Sequence, residues 1–98
     1  MPTFRVEFTA PVWVYPGGGW HFVTLPKEVA EEVRAGAGRP AGWGSLRVEA
    51  KILDVTWTTS IFPSKPTGSF VLPLQAQVRK ATAIHEGSQV TVQLAFQV

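Results

Sequence analysis

The chain states one motif twice. Phe22-Val23-Thr24-Leu25-Pro26 leads into a segment ending Val33-Arg34, then a Gly-rich loop, then the alternating run Leu46-Arg47-Val48-Glu49-Ala50. Half a chain later Phe70-Val71-Leu72-Pro73 leads into Val78-Arg79-Lys80, then Glu86-Gly87, then Val90-Thr91-Val92-Gln93-Leu94. Each copy reads strand, Leu-Pro, short helix closing on Val-Arg, Gly turn, alternating strand. The repeat constrains the fold strongly and says little about chemistry. At 98 residues the two copies share a single domain, residues 1–98, large enough for one core.

Hydrophobic period assigns the elements. Phe4, Val6 and Phe8 alternate with Arg5, Glu7 and Thr9, the pattern of a half-buried strand. Residues 10–15 continue as a second strand, with Pro11 marking a bend or an edge. Pro16-Gly17-Gly18-Gly19 is a turn, since glycine reaches positive φ without steric cost. Its glycines lack the spacing of a phosphate loop or dinucleotide fingerprint. Residues 20–25 form a third strand. Pro26 suits the first helical position, Val29 and Val33 share a helix face, Arg34 complements the dipole and Gly36 is the expected C-cap.

The loop from Gly36 to Gly44 carries Trp43. Strands follow at 46–52 and 56–62, with Asp54 turning between them and a second loop at 63–68. A short strand, 69–72, precedes a helix opened by Pro73 and reaching about Ala81. In the last strand Val90, Val92, Leu94 and Phe96 face inward. The fold class is mainly β, a small barrel with two short helices, which leaves few exposed edges.

Composition narrows the function. Without cysteine there is no disulfide framework and no thiol nucleophile. Nothing at the start reads as a signal peptide, and no apolar run approaches the roughly 20 residues of a membrane helix, so cytoplasmic and soluble is the expectation. The net charge is only +2 and the basic residues are scattered, which argues against nucleic acid as a partner. Four Trp in so short a chain is high, and each buried indole must find a partner for its N–H.

Trp20, Leu25-Pro26, Gly42-Trp43-Gly44-Ser45, Trp57 with Ser60 and Phe62-Pro63, Leu72-Pro73, Val78-Arg79-Lys80 and Glu86-Gly87 form a frame covering nearly the whole chain. It resembles a bacterial family known only as a domain of unknown function, DUF1905, of the YdeI (OmpD-associated) type. The resemblance implies a double-split β-barrel, the topology of AbrB- and MazE-type swapped-hairpin proteins, here formed by two pseudo-symmetric halves of one chain. Asp54-Val55 stands where the family commonly has a glycine-containing turn, and Ser88 where an aspartate commonly follows Gly87. Both bear on loop geometry, since Asp and Ser close turns through local hydrogen bonds. The resemblance brings no activity and no catalytic residues.

No catalytic set is visible. Ser60, Ser64 and Ser69 lack an elbow motif and a base, and His21 and His85 share no metal-ligand spacing. No catalytic residue, metal or cofactor is assigned. The more informative positions combine indoles and cations: Trp20, Trp43, Trp57, Ser60, Lys65 and Arg79 are the candidate ligand-binding residues. An indole face beside a guanidinium makes an apolar wall with one orienting charge, suited to a carboxylate or phosphate. Trp57 and Ser60 have opposite strand parity, so sharing a site would need a bulge between them. Arg79-Lys80 also reads simply as the basic end of a helix. The reading is a binding module for a small anionic molecule or peptide. A protein-interaction accessory domain is the alternative, and an AbrB-like DNA-binding regulator a weaker one. Either a monomer or a weak homodimer is expected.

Overall fold

The computed structural model describes residues 3–37 and 44–97. Its elements run β1 Thr3–Val14, β2 His21–Thr24, α1 Lys27–Gly36, β3 Leu46–Ile52, β4 Val55–Ser64, β5 Ser69–Pro73, α2 Ala76–Thr82 and β6 Gln89–Gln97. The six strands close into an antiparallel barrel in the order β1-β2-β5-β4-β3-β6. Period-2 patterning explains the closure. Val6, Phe8, Ala10 and Val12 of β1 point inward, as do Leu46, Val48, Ala50 and Ile52 of β3 and Val90, Val92, Leu94 and Phe96 of β6. Leu25, Ile61, Leu72, Leu94 and Phe96 are almost wholly sequestered, each contributing about 1.5–3 kcal/mol of transfer free energy.

The repeat appears in the registers. Setting Leu25 on Leu72 places Thr24 on Val71, which is also its partner across β2 and β5. The pair Val23 and Leu72 is then mirrored by the bond from the Leu25 N–H to the Phe70 carbonyl, 2.9 Å. With Phe22 set on Ser69, cross-strand pairing matches Trp13 with Ser64, the β1–β2 loop being the longer of the two. The pair Val6 and Leu94 corresponds to Trp57 and Ala50. Ala50 and Leu94 in turn pair with each other where β3 meets β6. One inward row therefore runs Trp57, Ala50, Leu94, Val6 across four strands, large beside small at each end, as close packing requires.

Several boundaries differ from the sequence reading, each for a physical reason. β1 is one strand of 12 residues, not two. Pro11 is its last partner to β6 and Val12 its first to β2, so the missing Pro N–H falls where the ladder changes sides. Pro73 ends β5, paired with Phe22, and α2 begins three residues later at Ala76. Pro63 and Ser64 extend β4. Gly36 is the last helical residue rather than the cap; the Ala37 N–H closes the helix on the Val33 carbonyl. A Cβ at Gly36 would lie 2.5 Å from the Phe4 ring, so close approach, not positive φ, requires glycine there. The greater part of the expected Gly36–Gly44 loop, with Trp43, lies outside the described residues.

Candidate functional site

The two hairpins of the repeat differ most on the outer surface of β2, β5 and β4. Trp13 and Phe22 stack there at 5.0 Å between ring centroids, and the Trp13 indole donates to Thr24 Oγ1 at 2.8 Å. Their counterparts Ser64 and Ser69 are small, and Ser69 Oγ is spent on the Leu25 carbonyl at 2.7 Å. Beyond Phe22 the surface continues through Pro73 on β5 and, in the next row, Val71 and Phe62.

The loop joining β1 to β2 adds two more aromatics. The Tyr15 N–H donates to the Trp20 carbonyl at 2.8 Å, closing the loop, and Gly17 and Gly19 take positive φ within it. Gly18 is needed for a different reason. A Cβ there would fall 2.9 Å from the Trp20 indole, so the bare backbone lets the ring lie against it. The triple glycine thus orients an aromatic that remains 64% exposed; Tyr15 is 56% and Phe62 43% exposed. Together Tyr15, Trp20, Phe22, Phe62, Val71 and Pro73 line an open groove of about 520 Å³ with an almost wholly apolar wall.

A recess of about 110 Å³ adjoins it, sharing Trp20 and Pro73 and lined also by His21 and Arg79. Arg79 sits in the last turn of α2, and its Nε donates to the Leu74 carbonyl at 3.2 Å. That bond fixes the guanidinium plane and leaves the two terminal nitrogens without a carboxylate partner among the described residues. Arg34, the matching Val-Arg arginine of α1, is used differently. It donates to the Gly68 carbonyl and lies over the Phe70 ring, 5.2 Å from the centroid. No acidic side chain lines either the groove or the recess.

Of the residues singled out from sequence, Trp20 and Arg79 meet in this recess. Trp57 does not join them: it points inward, packed against the core, and its Nε1 is buried without a partner in the described residues. Ser60 lies on the outer face of β4, on the side opposite Trp57, paired with Arg47. Lys65 is exposed in the turn after β4. Trp43 falls outside the described residues. Sequence reasoning missed Tyr15, Phe22, Phe62, Val71 and Pro73, although the parity of Phe22 and Phe62 opposite to buried Val23 and Ile61 was a usable signal.

Two more polar grooves, about 500 and 430 Å³, border β3 and β6. They lie where each strand runs past the three residues through which the two pair, one in each half, and so follow from the barrel geometry itself. The histidines bond locally, His21 Nδ1 to the Gly19 carbonyl and His85 Nδ1 to the Glu86 carbonyl. Among the described residues no three His, Cys, Asp or Glu side chains are grouped, and no helix is long and apolar enough to cross a membrane.

Fold and groove together define a small closed antiparallel β-barrel domain with one aromatic surface site. The chain belongs to the family described as a domain of unknown function (DUF1905), whose family model matches residues 8–94, a span that takes in the repeat and every residue of the groove and recess. No curated protein matches the sequence.

Proposed function

We propose that this domain is a non-catalytic binding module for a small molecule or peptide that joins an apolar body to an anionic group. The observation carrying this reading is that two departures from the internal repeat, Phe22 and Arg79, line adjoining cavities. Phe22 stands in the groove where the second hairpin has the buried Ser69, and the arginine that α1 uses structurally is on α2 left with its terminal nitrogens without a carboxylate partner among the described residues. The barrel needs neither departure, because in each case the matching half folds without it: β4 and β5 without an aromatic pair, α1 with its arginine tied to a carbonyl. A groove of about 520 Å³ falls within the roughly 300–1,000 Å³ range of ligand sites, and a guanidinium beside an apolar wall orients a carboxylate or phosphate.

The barrel itself we take to be of the double-split kind, supported by β1 leaving β6 for β2 after Pro11 and β4 leaving β3 for β5 after Ile61. DNA binding draws no comparable support. On the outer faces of β1 and β3, Arg5 is followed by Glu7 and Arg47 by Glu49, so cations do not gather on one surface.

Thermal shift against a panel of aryl and alkyl carboxylates, each with its neutral amide, tests the reading. Carboxylates are expected to raise the midpoint, by an amount equivalent to about 2.7 kcal/mol at a hundred times Kd. Amides should do so weakly, and the gain should vanish in Trp20→Ala and Arg79→Ala. No stabilisation across the panel, or equal stabilisation of Arg79→Ala, refutes it.

A further inference from the structure

Resting on that reading, we propose that the ligand is the C-terminus of a peptide with bulky apolar residues at its last and third-from-last positions. The recess supplies two hydrogen-bonding groups of opposite kind. Arg79, held in plane by its Nε bond to Leu74, offers a two-pronged donor to a carboxylate. His21 offers an acceptor. Its Nδ1 lies 2.8 Å from the Gly19 carbonyl, which can only accept, so Nδ1 is the donor and the Nδ1–H tautomer leaves Nε2 as an acceptor. The recess therefore asks for an anion with an N–H donor beside it. A C-terminal residue has this combination, because its carboxylate and its amide N–H hang on the same α-carbon. A simple aryl acid lacks the donor. A free amino acid brings an ammonium into the same recess as the guanidinium, at a cost in like-charge repulsion.

The adjoining groove sets the length. From Phe22 on β2 across β5 to Phe62 on β4 are two strand spacings, about 10 Å at roughly 4.8 Å each. An extended chain covers that distance in about three residues. Alternate side chains of an extended peptide point the same way, so the last and the third from last face Trp20, Phe22 and Phe62 while the middle one faces water.

A second copy of this chain fits the surface less well. The exposed parts of Tyr15, Trp20 and Phe62 amount to roughly 300 Å², taking about 200 Å² for a whole aromatic side chain. A stable interface of standard size buries about 800 Å² on each partner. The charge bordering the face also agrees with a carboxylate-bearing occupant, since the recess holds the guanidinium of Arg79 and neither lining contains an acidic residue.

The experiment is fluorescence anisotropy with a labelled hexapeptide, Gly-Ser-Gly-Leu-Ser-Phe, bearing a free carboxylate. Its C-terminal amide, a version with Leu and Ser exchanged, and thermal shift with 3-phenylpropionate complete the set. The free-carboxylate peptide is expected to bind at least 10-fold more tightly than the amide and than the exchanged peptide. Arg79→Ala should erase the preference for the free carboxylate, and His21→Ala should weaken the peptide while leaving 3-phenylpropionate unchanged; circular dichroism establishes that both variants are folded. Equal binding of acid and amide overturns the C-terminal inference, as does binding of 3-phenylpropionate alone, and the latter leaves the broader binding module intact. If neither peptide nor 3-phenylpropionate binds, both readings fall. Dimerisation by sedimentation that is lost in Trp20→Ala assigns the face to a second copy and overturns both as well.

Discussion

Replacing Gly36 by alanine pits two effects of known size against each other. Gly36 closes α1 with ordinary helical backbone, so alanine there should favour the helix by about 0.5–1 kcal/mol. Its Cβ, however, would stand 2.5, 2.8 and 2.8 Å from three atoms of the Phe4 ring. The ring has little freedom to withdraw. It lies 6.0 Å from the Phe96 ring, its partner across β1 and β6, and Phe96 is only 1% exposed. Forcing a methyl group into such a contact costs about 1–3 kcal/mol, so the net loss should be about 1–2 kcal/mol. For a domain of this size the melting midpoint then falls by about 4–15 °C, measurable by circular dichroism, with urea titration giving the free energy. In a Phe4→Ala background the obstruction is gone, and Gly36→Ala should change sign and stabilise by up to about 1 kcal/mol. An unchanged or raised midpoint in the single variant, or the same loss in both backgrounds, refutes the close-approach account of this glycine.

The two Val-Arg arginines should separate by assay. Arg34→Ala removes a carbonyl bond and a ring contact and should cost about 1 kcal/mol in urea titration; Arg79→Ala should cost less in stability and show its effect in ligand affinity, and the reverse ranking would sink the division of roles. Ser69→Ala strips the buried Leu25 carbonyl of a donor and should cost about 1–2 kcal/mol by the same titration, a neutral result meaning that the bond contributes nothing. Trp57→Phe removes a buried N–H that has no partner among the described residues. The relief of about 1–3 kcal/mol should offset most of the void left by the smaller ring. A net change within about 1 kcal/mol is expected, against about 3–5 for Trp57→Ala; a loss of 3 or more for Trp57→Phe would mean that the N–H is bonded after all.

How far the sequence reaches depends on range. Alternation in β3 and β6 identifies every inward residue there, because period 2 is a local property of the strand. The doubled Leu-Pro and Val-Arg frame carries the two-half barrel for the same reason: a repeat is visible without knowing what touches what. Pro73 reads locally as a helix start, because only its pairing with Phe22, remote in sequence, keeps it in a strand. The grouping of site residues fails for a related reason. Trp57 reads as a cleft aromatic until its cross-strand neighbour is known to be Ala50, whose small side chain leaves room for an indole indoors. The groove itself depends on β2, β5 and β4 lying side by side, a long-range outcome that no local pattern near Tyr15 or Phe62 encodes.

The internal repeat also serves as a control within the molecule. When one half of a barrel carries an indole where the other carries a valine, packing can explain the difference, as it does for Trp57 and Val6, because Ala50 and Leu94 compensate in volume. Packing cannot explain Trp13 and Phe22 in the same way. Their counterparts Ser64 and Ser69 share the outward parity, but Ser69 is itself buried and bonded to the Leu25 carbonyl, so the exchange trades a ring stack for a buried hydroxyl bond and leaves the inward row untouched. Nor does an outward aromatic cluster help solubility, and the largest apolar patch on a monomer is often a functional one. Tyr15 and Trp20 extend the same cluster from a loop whose Gly18 is shaped around the indole, which costs backbone freedom without adding to the core. A feature that the other half of the fold does without, that the core does not use and that the loop is built to present is best accounted for by what it contacts outside the chain.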